Sequence, residues 1–168
     1  MKLYHGSDCV IESPDISFSR KNLDFGPGFY AISFRQQAER WALRRTMRSG
    51  GTAVINVFDF SQTTDLNILT FDDDRSWVEF VCDCRRGGRP PAGTDIVYGG
   101  VADDKVYMAI DMYFRGLWDM DTTLRALKFY GRNDQYCFVT QSAIDHALAF
   151  ANHTRWIDEC NQGYADRT

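Results

Sequence analysis

The chain has 168 residues, of which 44% are hydrophobic and 14% aromatic. Domains commonly hold about 100–150 residues, so the length suits one domain over residues 1–168 and excludes a large barrel. The aromatic content excludes a disordered chain, which needs few aromatics and a high net charge. The net charge is −4 at pH 7 and the pI about 5.3, whereas a general nucleic-acid binder is usually basic. Contact with an anionic target would need a local patch.

No stretch approaches the roughly 20 apolar residues of a membrane span. Met1–His5 has no apolar run behind it, so the reading is that it is not a signal peptide. Cys9, Cys82, Cys84, Cys137 and Cys160 are odd in number and scattered. Disulfide scaffolds prefer an even count in a shorter chain, so the expected compartment is reducing and cytoplasmic. The Cys82-x-Cys84 spacing fits neither a redox nor a zinc pair.

In chain order, Lys2–His5 reads as a first strand, followed by a polar loop from Ser7 to Asp24. Phe25-Gly-Pro-Gly28 is a turn signal, and Phe29–Ser33 a strand. Arg35–Arg48 has helix composition, with Ala38, Trp41, Ala42 and Arg45 at helical spacing. Ser33 would cap its start and Gly50-Gly51 its end. Thr52–Phe58 is the clearest strand. Asp72–Asp74 favours a helix start, predicting a helix over Ser76–Arg85. Arg85–Thr94, with Gly87-Gly88 and Pro90-Pro91, is the best loop, and Asp95–Tyr98 a short strand closed by Gly99-Gly100. Ala102–Gly116 and Asp121–Tyr130 read as helices, Gln135–Val139 as a late strand, and Ser142–Cys160 as a terminal helix, broken near Asn152. Strands and helices mix without strict alternation, which favours an α+β fold.

Gly26-Pro27-Gly28 is neither a dinucleotide fingerprint nor a Walker loop; on spacing alone it is a tight turn. Asp24-Phe25-Gly26 matches a kinase motif by chance, because no catalytic-loop signature follows. His5 alone reads as a structural histidine, and His146 and His153 as a packing or solvated pair. Arg35, Arg40, Arg44, Arg45 and Arg48, set against Glu39 alone, read first as a solvated helix face. With Arg85, Arg86 and Arg89 they would form a patch for an anionic target.

Three segments change the reading when taken together: Tyr4-His5-Gly6-Ser7, Phe25-Gly-Pro-Gly-Phe-Tyr30 and Ala38-Glu-Arg-Trp41. They resemble the NAD-binding core of the ADP-ribosyltransferase superfamily, in the branch shared by diphtheria-type toxins and poly(ADP-ribose) polymerases. That branch places an aromatic eleven residues after the motif Tyr, the separation of Tyr30 and Trp41. More narrowly, Leu3–Ser7, Asp24–Tyr30, Trp77–Phe80 with Arg85, Asp95–Asp104 and Gln135, five motifs in order, resemble the small bacterial DUF3990 family.

The resemblance implies two small sheets meeting at an NAD cleft, surrounded by helices. It implies mono-ADP-ribosyl transfer from NAD, used as a co-substrate without any metal, to a protein or nucleic-acid acceptor. It further implies a bacterial or phage toxin or effector that a partner protein neutralises. Tyr30 and Trp41 would sandwich the nicotinamide, the Gly6 N–H and C=O would hold its amide, and His5 would bond the adenosine ribose. Ser7, Arg20 and Phe29 join the binding set. The catalytic Glu of the superfamily is matched by Gln135, which keeps an acceptor and loses the charge. Ala38 stands where polymerases often carry an amide-binding Ser; Asp103 and Asp104 could supply a carboxylate, or simply open a helix. NAD hydrolysis and a non-catalytic NAD- or partner-binding module are the alternatives.

Overall fold

The computed structural model describes residues 1–62, 65–101, 104–128 and 133–155, without the side chains of 104 and 105. Its elements run β1 (Lys2–Ser7), β2 (Phe29–Ala31), α1 (Arg35–Ser49), β3 (Val54–Phe60), β4 (Ile68–Thr70), α2 (Arg75–Arg85), β5 (Ile96–Gly100), α3 (Asp104–Phe114), α4 (Met120–Leu127), β6 (Asp134–Phe138), α5 (Gln141–Ala147) and β7 (Leu148–Arg155). The architecture is α+β. One sheet has the order β1-β3-β7 and the other β2-β6-β5-β4. All pairings are antiparallel except β4 with β5.

The sheets touch backbone to backbone through one isolated bridge, Tyr4 to Ile32. Tyr4 N–H donates to the Ile32 carbonyl at 2.8 Å and Ile32 N–H to the Tyr4 carbonyl at 3.0 Å. Period-two alternation divides the residues of the second sheet. Tyr30, Val97 and Cys137 pack with Phe25, Trp77, Val81 and Ile110 beneath α2 and α3. Phe29, Ile96 and Phe138 pack with Leu3 and Phe58 of the first sheet. Helix α1 lies on β1 and β3, where Ala38 joins Ile55 and Val57.

Local chemistry explains most boundaries. The Asp74 side chain caps α2 by accepting from Trp77 N–H at 3.1 Å, and Asp119 caps α4 through Thr122 N–H at 2.7 Å. Gly50 ends α1 with φ of 71°, a left-handed conformation that glycine adopts without a Cβ clash. Ser33 does not cap α1. Its N–H and Oγ both donate to Asp134 Oδ1, at 3.1 and 2.6 Å, and Phe34 takes the cap position without a side-chain bond. The strand expected over 52–58 lies at Val54–Phe60, because its far end pairs with the start of the chain: the Met1 amino group donates to the Phe60 carbonyl at 2.8 Å.

The terminal helix expected over Ser142–Cys160 is corrected to the short α5 followed by β7. Ala-rich composition favours helix locally, but β3 has a free edge, and Leu148–Arg155 fills it, with Phe60 opposite Leu148 and Phe58 opposite Phe150. The Phe58 and Phe150 rings meet edge-on, centroids 5.8 Å apart. His146 and His153 therefore stand on different elements. Cys160 lies outside the described residues. The three-residue β4 was not expected at all. No helix among the described residues is long and apolar enough to cross a membrane.

Gly6 is a packing glycine. A Cβ there would run into the Ala38 carbonyl oxygen and come within 2.8 Å of the Ala42 nitrogen, both helix backbone. Gly6→Ala is expected to lower the unfolding free energy by at least about 2 kcal/mol, as overpacking against fixed backbone does. Gly51→Ala, whose new Cβ meets its nearest atom at 3.4 Å, is the control and should be near neutral. Urea midpoints of the two variants check this; equal midpoints would contradict it.

Candidate functional site

The bridge at Tyr4–Ile32 does not extend. In an antiparallel ladder successive residues turn their backbone groups to opposite sides. Tyr4 bonds toward β2, so Gly6 turns its N–H and C=O the same way, away from β3. Ile32 bonds toward β1, so Tyr30, paired through Cys137 with β6, likewise turns toward β1. Continued register would set Gly6 opposite Tyr30. Instead the strands part, and the Tyr30 carbonyl accepts from His5 Nδ1 at 2.6 Å. The result is a fork into which the Gly6 N–H and C=O and the Tyr30 N–H are directed.

His5 holds the fork open. A carbonyl can only accept, so Nδ1 carries the proton and Nε2 of the neutral ring is the lone-pair nitrogen. Burial pushes the His5 pKa down; the Tyr30 bond opposes this, and the nearby Arg45 charge adds to the lowering. The ring leans on Phe29, with centroids 4.6 Å apart. Phe29 itself is a core residue on the opposite face of β2 from Tyr30, so it backs His5 and is not at the fork.

The Tyr30 side chain is fixed by the glycine turn. Its hydroxyl donates to the Gly26 carbonyl at 2.6 Å and accepts from Phe25 N–H at 3.0 Å. One ring face stacks toward Phe25, with centroids 6.5 Å apart and planes 24° apart. Burial pushes its pKa well up, so it stays a neutral phenol. Gly28 must lack a side chain, because a Cβ would strike Cys137 Sγ and lie 2.6 Å from the Phe138 carbonyl of β6. The turn, the strand and the ring orientation are one unit.

Gln135 shares a sheet face with Tyr30. Cys137 sits directly opposite Tyr30, and Gln135 is two residues along β6, opposite Gly99. It is buried, and its Nε2 donates to the Gly100 carbonyl at 3.3 Å. That commits one of the two N–H donors of the amide, and the oxygen is an acceptor. Trp41 stands on α1, one residue before Ala42, which packs on Gly6. It is 46% exposed, and the Arg44 guanidinium lies 5.7 Å from its ring centroid.

The remaining expected residues are placed as follows. Ser7 is buried at the end of β1, with Oγ donating to Asp8 Oδ1 at 3.4 Å. Arg20 is exposed in a loop pinned to the turn: Ser19 Oγ accepts from Gly28 N–H at 2.6 Å and donates to the Arg20 carbonyl at 3.2 Å. Asp103 lies outside the described residues and Asp104 opens α3. Arg85 does not join a basic patch. It donates to Asp24 Oδ1 at 2.7 and 3.0 Å and lies over the Tyr107 ring at 4.5 Å. On α1, Arg35 pairs with Glu39 and Arg45 with Asp8. Among the described residues no group of three His, Cys, Asp or Glu side chains is placed to hold a metal.

Reasoning from sequence missed Ser19, Asp134 and Gln37, none of which has a local signature. It also missed the reason for the Asp24 and Arg85 motifs, which is that they pair beneath Tyr30. A pH prediction follows from His5. Its folded pKa is below the ordinary value near 6.5, so between these two values the unfolded chain binds more protons. Stability then falls as pH drops through about 6.5 and further toward the folded pKa. His5→Asn should lose less stability over that window than the unsubstituted protein in thermal melts; parallel losses would contradict the assignment.

Comparison with curated proteins and with solved structures returns no match. A family model matches residues 1–150, with the description protein of unknown function (DUF3990). The chain belongs to the DUF3990 family.

Proposed function

We propose that this protein transfers ADP-ribose from NAD to a macromolecular acceptor, with the fork between β1 and β2 as its nicotinamide site. The observation that carries the reading is the fork itself. A primary carboxamide needs a donor and an acceptor side by side, and the Gly6 N–H and C=O are directed into the gap together. The ADP-ribosyltransferase resemblance supports the same assignment of His5, Gly6, Tyr30, Trp41 and Gln135.

The chemistry follows from these groups. The bond between ribose C1′ and the pyridine nitrogen breaks, and its electron pair stays with the departing, now neutral, nicotinamide. Positive charge builds on the ribose, as in glycoside hydrolysis. The acceptor nucleophile bonds to C1′ and releases its proton. Tyr30, clamped by Gly26 and Phe25, would offer the nicotinamide the ring face turned away from Phe25, and Trp41 would cover the second face. Aromatic pairs of this kind contribute about 0.5–1.5 kcal/mol beyond burial. The bare Nε2 of His5 can accept from a ribose hydroxyl. The Gln135 oxygen can accept from the nicotinamide ribose, orienting it without the charge that a carboxylate would bring.

Missing charge at the step where electrostatic stabilisation usually matters most predicts slow, single transfer rather than polymer elongation. It also favours, as the second reading, transfer to water or binding of NAD without turnover. A toxin or effector role, with a neutralising partner, belongs to the same proposal.

Mass spectrometry after incubating the full chain with NAD and a bacterial lysate tests it. The expected result is nicotinamide release and an acceptor heavier by one ADP-ribose. Free ADP-ribose alone means hydrolysis, and intact NAD contradicts the enzymatic reading. Tyr30→Ala should lower kcat/KM by about tenfold or more. Gln135→Glu should retain or raise it; a collapse with intact folding would remove Gln135 from the site.

A further inference from the structure

We infer that Gln37 is the side chain that reads the amide of the ligand, completing the recognition that Gly6 begins; this rests on the nicotinamide site proposed above. Gln37 is 3% exposed, yet neither its Nε2 nor its Oε1 has a hydrogen-bond partner. Buried polar groups are almost always paired, and each one left unpaired is destabilising. A Leu or Met at this helical position would avoid that cost. An amide kept with both halves unmet calls for a partner that brings a donor and an acceptor together, and another primary carboxamide is the complementary group.

The position fits. Gln37 precedes Ala38, whose carbonyl abuts Gly6, and lies one helical turn before Trp41 on the same flank. Strands β2 and β3 both run antiparallel to the β1 backbone on its two sides, so they are parallel to each other, and α1 joins them across β1. Within one sheet such crossovers are right-handed in about 98% of cases, and here the Tyr4–Ile32 bridge sets β2 beside β1 as a neighbouring strand would be. With that hand, the residues just before the packed Ala38 and Ala42, which are Gln37 and Trp41, would turn toward β2 and the fork. Glu39 and Leu43, just after them, would turn toward β3. A carboxamide has two N–H donors and two lone pairs. Gly6 can meet one of each, and Gln37 can meet one of each again. Ala38 itself carries no hydroxyl for this purpose.

Calorimetry with nicotinamide, nicotinic acid and NAD, on the wild type and Gln37→Met, tests this. The expected result is that the wild type binds nicotinamide over nicotinic acid. Gln37→Met should bind nicotinamide and NAD about tenfold more weakly, discriminate less against the acid, and melt no lower than the wild type. If the wild type binds NAD and the variant binds it equally well with equal discrimination, the role of Gln37 is overturned and the site reading stands. If the wild type binds neither NAD nor nicotinamide, both are overturned. A second readout needs no variant: the Gln37 side-chain NH2 resonance should shift on adding nicotinamide, and an unmoved resonance in the presence of bound ligand overturns the proposal.

Discussion

Two hydrogen bonds between Tyr4 and Ile32 join the β1-β3-β7 sheet to the β2-β6-β5-β4 sheet, and the strands then part. Had the ladder continued, Gly6 and Tyr30 would satisfy each other and the surface would be inert. Because His5 captures the Tyr30 carbonyl instead, at 2.6 Å, the remaining groups of both residues are left directed across a gap. Unpaired backbone polar groups are costly where water cannot reach them. On the proposed reading, a polar, planar ligand would meet the groups that the parted strands direct across this gap. On the other side of β1, α1 approaches so closely that only glycine fits at position 6.

What keeps the fork rigid lies beneath it. The Asp24–Arg85 pair, the rings of Phe25, Phe71 and Phe80, and Trp77 form one body under the Tyr30 ring. Phe25 lies within 6.5 Å, centroid to centroid, of both Tyr30 and Phe71. A Cβ at Gly99 would come within 3.3 Å of Phe25, Phe71 and Trp77, so β5 is drawn against the same cluster. Motifs far apart in the chain thus serve one end: fixing the angle of a single phenol ring and the strand that carries it. Interiors packed this tightly transmit small displacements, so the geometry of the fork depends on side chains that lie beneath it.

Much of this was legible in the sequence. The Asp72–Asp74 cap, the Gly50 stop, the α1 spacing and the Phe25–Gly28 turn are local signals, and each element appears close to where its chemistry places it. The failures share a cause. Leu148–Arg155 has helical composition and becomes a strand because β3 offers an unpaired edge, information that only tertiary structure holds. Ser33 looks like a cap and is taken by Asp134 from across the sheet. At the site, His5, Gly6, Tyr30 and Gln135 are drawn together by the two-sheet arrangement, whereas Phe29, adjacent to Tyr30 in sequence, faces the opposite way because strand side chains alternate. Gln37 carried no signal, since an unpaired buried amide is visible only once its surroundings are known.

The proposed site is the place where a pyridine carboxamide would sit. The most direct measurement is a crystal structure of the protein with NAD or a non-hydrolysable analogue bound. The account predicts the nicotinamide ring between Tyr30 and Trp41, its amide bonded to the Gly6 backbone and within hydrogen-bond reach of Gln37, and the His5 ring unmoved on the Tyr30 carbonyl. A ligand bound elsewhere, or β1 and β2 zipped together through Gly6 and Tyr30 with no space between them, would contradict it.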